Sequence, residues 1–99
     1  MSEQFYDAIV TAERHEHYFL LSVIFTEDGQ EQITPERFEQ FQTACCGESV
    51  TLTRGIHGSV ITGYTCAHED PVLISMWGIA KLTHATFGVD TDVHLPPEA

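Results

Sequence analysis

The chain predicts a single α+β domain in the order β-β-α-β-β-α, with a four-stranded antiparallel sheet and two helices on one of its faces. Three observations carry this expectation. Paired stretches with apolar residues at every second position occur twice, across residues 5–26 and 49–67, which is the pattern of half-buried strands. Each pair is followed by a helical stripe that starts at a proline and stops at a glycine: Pro35 to Gly47, then Pro71 to Gly88. At 99 residues, with 42% of them apolar, the chain holds one core without needing staples. Residues 1–90 are therefore assigned to the domain, and residues 91–99, which include Pro96-Pro97, to a flexible C-terminal tail.

The first hairpin comprises residues 5–13 and 17–26, turning near Arg14-His15-Glu16. Alternation puts Phe19, Leu21, Val23 and Phe25 on one face of its second strand, although Phe5, Ile9 and Ala12 also fit a helical stripe. Glu27-Asp28-Gly29-Gln30 ends that strand with a turn. Thr34-Pro35 then caps and starts a surface helix whose apolar stripe is Phe38, Phe41, Ala44 and Cys45, with Glu36, Glu39, Gln40 and Thr43 turned outward.

In the second hairpin, residues 49–56 carry Val50 and Leu52, and residues 59–67 carry Val60, Thr62, Tyr64 and Cys66 on one face. The turn is Gly55-Ile56-His57-Gly58. The last helix, residues 70–88, has Asp70 as its expected N-cap, Pro71 at the first helical position and Gly88 past its end. Its predicted buried face is broad: Val72, Leu73, Met76, Trp77, Ile79, Ala80, Thr83, His84 and Phe87. That makes it the expected core helix, lying deep between the sheet and the first helix. Its back, with Ile74, Gly78, Leu82 and Ala85, is apolar enough to suggest a homodimer contact. Aligning the two halves on Pro35 and Pro71 brings few other residues into register, so the repetition is one of architecture.

Charge narrows the function. Fifteen acidic residues against four basic ones give a net charge of −11, and residues 1–49 hold ten of the acids with only Arg14 and Arg37. Proteins that bind nucleic acid or anionic membranes do so with Lys and Arg, so direct binding of either is disfavoured. Met1-Ser2-Glu3-Gln4 lacks the positive charge and long apolar run of a secretory leader, and no stretch has the length of a membrane span, which favours a cytoplasmic protein. Cys45, Cys46 and Cys66 are odd in number and suggest reduced thiols.

No catalytic, metal or cofactor site is expected. His15-Glu16-His17 has a spacing known among metal ligands but no third partner, and Cys45, Cys46, Cys66 and His68 lack a Cys-x-x-Cys pair. His57 in its Gly-x-x-Gly turn, and His84 beside Trp77, are the remaining candidates for chemistry. With Tyr64 they define the alternative reading, a small dimeric enzyme or ligand-binding domain.

The leading reading rests on Glu27, Asp28, Glu31, Glu36 and Glu39: five carboxylates within thirteen residues, with only Arg37 among them, and Glu13 and Glu16 expected to flank them. Such a ridge suits a basic groove, as a nucleic-acid backbone does with about one charge per 1.7 Å of duplex. The expected protein is a non-enzymatic acidic inhibitor that blocks or regulates a basic partner such as a nuclease or a DNA-binding complex. In kind it resembles DNA-mimicking phage anti-defence proteins, nuclease-immunity proteins and antitoxins. A solvated face or adaptation to salt is the competing account of the same acids.

Overall fold

The computed structural model describes residues 6–45 and 50–95. Its elements are β1 (Ala8–Arg14), β2 (Tyr18–Thr26), a 3₁₀ turn (Gly29–Gln32), α1 (Pro35–Ala44), β3 (Thr51–Arg54), β4 (Gly58–Ala67), α2 (Val72–Phe87) and β5 (Thr91–His94). The two hairpins form as the alternation requires, and the helical reading of the first segment falls away. They join through β2 and β4 into one sheet of strand order β3-β4-β2-β1-β5.

That sheet has five strands and is mixed, not four-stranded and antiparallel. Thr91–His94, expected in a loose tail, pairs parallel with the outer edge of β1. The chain is brought there by Gly88, which ends α2 in the left-handed conformation (φ 71°), and by Val89, which is buried. The Asp90 carbonyl then accepts from both Asp7 and Ala8 N–H groups at 3.0 Å, docking the last strand on the first.

One face of the sheet bears the core. Ala8, Val10 and Ala12 from β1 and Phe19, Leu21, Val23 and Phe25 from β2 are all buried there. Both helices cover this face: Phe87 of α2 meets Phe25 edge-on at 5.3 Å and Phe41 of α1 at 5.5 Å. The α1 cap is as expected, with the Thr34 hydroxyl accepting from Arg37 N–H at 3.2 Å; the expected stop at Gly47 lies outside the described residues.

Strand β4 departs from simple alternation. Leu21 pairs with Tyr64 but Ser22 pairs with Thr62, so Gly63 is an extra residue, a bulge with φ 124°. Before it, Ser59 and Ile61 face the core; after it, Tyr64 and Cys66 do. The predicted face is therefore right for Tyr64 and Cys66 and reversed for Val60 and Thr62.

Helix α2 is less enclosed than its composition suggests. Met76, Ile79, Ala80, Thr83 and Phe87 are buried, but Leu73, Trp77 and His84 are exposed, Trp77 at 47%. Helix α2 rests on β1, β5 and β4 and meets α1, and no further helix packs against it among the described residues, so only a narrow stripe is covered. Its start also differs: Pro71 occupies the cap position without a side-chain bond, and Asp70 lies in the preceding turn, its N–H donating to the Ala67 carbonyl. Proline fixes the extended approach to the helix, and its carbonyl accepts from Ile74 and Ser75.

Candidate functional site

The ridge of acids is held by short, local chemistry at the end of the sheet where β2 finishes. The Thr26 hydroxyl accepts from Gly29 N–H at 3.0 Å and donates to the Asp7 carbonyl at 3.3 Å, fixing the turn that carries Glu27 and Asp28. Ile33 anchors the 3₁₀ turn by burial, and the buried Ser59 hydroxyl donates to Gln30 Oε1 at 2.6 Å. Glu31 rides on this turn and Glu36 and Glu39 on the first turns of α1. All five carboxylate residues are exposed.

The cations nearby are committed elsewhere. Arg37 donates to the Gln32 carbonyl at 3.3 Å, to Gln32 Oε1 at 3.1 Å and to the Phe87 carbonyl at 3.5 Å. Arg54 donates to the Ile33 carbonyl at 2.7 Å. Among the described residues no Lys or Arg lies within ion-pair distance of Glu27, Asp28, Glu31, Glu36 or Glu39; the one ion-pair contact to the ridge is His57 Nδ1 at 3.9 Å from Glu27 Oε2, both exposed. Guanidinium groups thus brace the backbone of the ridge without capping its carboxylates.

Glu36 and Glu39 share an open groove of about 690 Å³ on the outer side of α1, completed by Gln40, Thr43 and Ala44. Glu27, Asp28 and Glu31 lie on the preceding turns and do not line it. Glu13 and Glu16 do not flank the ridge: they lie at the opposite end of the first hairpin, the length of the nine-residue β2 away.

His15, His17, His68 and Cys66 are occupied locally. His15 stacks on Tyr18 at 4.9 Å and bonds Glu13, while His17 approaches Glu16. His68 donates from Nε2 to the Tyr18 carbonyl at 3.1 Å, its ring tilted against Phe19. Cys66 is buried with its sulfur 3.6 Å from the Ser75 hydroxyl, and Cys46 is outside the described residues. No group of three or more His, Cys, Asp or Glu is placed to hold a metal among the described residues.

A second concavity, of about 430 Å³, lies beside the uncovered flank of α2 and is lined by Tyr6, Trp77, Ala80, Lys81, His84, Asp90 and Thr91. Trp77, Lys81 and His84 recur at helical spacing and present one face to it. His84 Nδ1 donates to the Val89 carbonyl at 2.9 Å, which fixes the neutral tautomer and leaves Nε2 as the acceptor. Of the pocket residues expected from sequence, Trp77 and His84 come together here. Tyr64 instead borders a small void inside the core and His57 sits on the β3–β4 turn. Lys81 was findable from its spacing to Trp77; Tyr6, Asp90 and Thr91 arrive only through the β1–β5 pairing.

Of the four helix residues expected to bear a homodimer contact, Ile74, Gly78 and Ala85 are exposed, whereas Leu82 packs against the core, so they do not form one open stripe. No helix among the described residues is long and apolar enough to cross a membrane. No protein-family model, curated protein or solved structure matches this chain.

Proposed function

We propose that this protein is a non-enzymatic acidic binding protein that blocks or regulates a basic, nucleic-acid-handling protein partner. The observation that carries the reading is the set of five exposed carboxylates with no Lys or Arg counter-ion among the described residues, on a backbone braced by Arg37 and Arg54. Carboxylates already paired internally would have to be stripped of their partners before meeting a basic groove. These keep their full charge for the encounter, and the braced turn limits the ordering cost on binding.

A net charge of −11 adds long-range attraction to any basic surface, giving association that is fast at low salt and slows as salt screens it. DNA mimics of phage anti-defence type, immunity proteins and antitoxins share this logic. The test is capture from host lysate at low and high salt, then binding kinetics with the combined variant Glu31→Lys, Glu36→Lys, Glu39→Lys. A basic partner released by salt is expected, with the variant slowing k_on by about tenfold or more and flattening the salt dependence. Unchanged kinetics and salt slope in that variant overturn the reading.

The cleft favours a second reading, a domain that binds a small ligand between Trp77 and His84, since its volume falls within the range of about 300–1,000 Å³ usual for such sites. In that case Trp77→Ala and His84→Ala abolish function and reversal of the ridge leaves it intact.

A further inference from the structure

The sheet face opposite the helices is as unlike the rest of this protein as any surface on it. The strand register aligns Ile9, Ile24 and Val60 in one row across β1, β2 and β4. The next row is Thr11, Ser22 and Thr62. Beyond them β3 continues the rows with Thr53 and Thr51. In a chain with fifteen acidic residues, these two rows over four strands carry no charge; Glu13 at one corner and the paired Asp92 and His94 on β5 mark the border. Ile24 is 44% exposed, a large apolar side chain at the centre of the sheet with nothing over it among the described residues.

We infer that this face packs against the same face of a second copy, giving an isologous dimer with two sheets face to face and the helices outside. Three features of the face select a second copy over other occupants. Inside the border set by Glu13 and β5 it has no carboxylates to attract a basic partner and no cations to attract nucleic acid, so neither is complementary to it. Two copies at −11 each repel wherever acids meet, and an uncharged face is where they approach at least electrostatic cost. At its centre the Ser22 and Thr62 hydroxyls bond each other at 2.8 Å, so that pair tolerates burial.

The area is sufficient. The four strands β1 to β4, about 4.8 Å apart and averaging roughly seven residues at about 3.3 Å each, span on the order of 450 Å² in projection. The accessible area of such a pleated face is larger than its projection, near the roughly 800 Å² per partner of a standard stable interface. β-branched residues on both faces match the way stacked sheets pack, about 10 Å apart. The inference stands apart from the proposed function, because it uses the side of the sheet away from the helices.

Sedimentation velocity of the full chain over a concentration series tests it. The expected wild-type species is twice 11.1 kDa, with Ile24→Lys shifting the protein to monomer. Thr51→Lys plus Thr53→Lys, at exposed positions where folding is not at issue, should raise the dimer Kd by about tenfold or more, which circular dichroism can accompany as a check on the fold. Ile74→Lys, on α2, should leave the dimer unchanged. A wild-type monomer up to about 100 µM overturns the inference. So does a dimer that ignores the Thr51/Thr53 variant, or one that Ile74→Lys dissociates.

Discussion

The Arg54 guanidinium, at the end of β3, donates to the Ile33 carbonyl oxygen at 2.7 Å and so ties the outer strand of the sheet to the segment that carries the acids. It braces the backbone of the ridge and is within ion-pair distance of none of its five carboxylates among the described residues. Arg54→Met, which keeps the aliphatic stem, should therefore cost about 1 kcal/mol, the scale of one partly exposed hydrogen bond. Urea melts at low and high salt check it: a loss independent of salt is expected, whereas an ion-pair role would make the loss shrink as salt rises.

Two adjacent residues of α2 should behave oppositely. Met76 is fully buried, so Met76→Ala should cost about 2–5 kcal/mol through lost burial and a cavity. Trp77 is 47% exposed on the open flank, so Trp77→Ala should cost less than about 1 kcal/mol, contrary to what its apolarity alone implies. Denaturant melts compare the two. Trp77 is the chain's single tryptophan, and its emission should be quenched efficiently by acrylamide in the native state.

Glycines 63 and 78 separate conformational need from mere smallness. Gly63→Ala should destabilise by about 1–3 kcal/mol, because the bulge holds φ at 124°, which a side chain adopts only with strain. Gly78→Ala should stabilise by about 0.5–1 kcal/mol, since a Cβ there meets nothing within 4 Å and alanine is the better helix former. Thermal melts of both variants give the two signs.

What the sequence discloses here follows the range of the interactions involved. The run Phe19, Leu21, Val23, Phe25 and the Thr34-Pro35 start of α1 are read correctly because alternation and capping are decided within a few residues. Strand β5 escapes notice because four residues, Thr-Asp-Val-His, carry too little pattern, and what makes them a strand is the vacant edge of β1. Trp77 is misplaced for a related reason: a helix wheel identifies the apolar face, but how much of it is covered depends on how many elements pack beside it. The exposure of Glu27, Asp28, Glu31, Glu36 and Glu39 was legible from composition. That Arg37 and Arg54 turn to carbonyls was not, because Phe87 and Ile33 reach them only through tertiary structure.

The parallel pairing of β5 with β1 also sets when this chain can finish folding. Ala8 pairs with Thr91, so the strand synthesised first among the described elements waits for the one synthesised last. Until then the nascent chain carries β1 as a bare hydrogen-bonding edge beside an incomplete core that still lacks Val89. Closing a loop from Ala8 to Thr91 is slow compared with forming either hairpin. Docking of β5 on β1, more than the growth of either hairpin, is the step that completes the sheet.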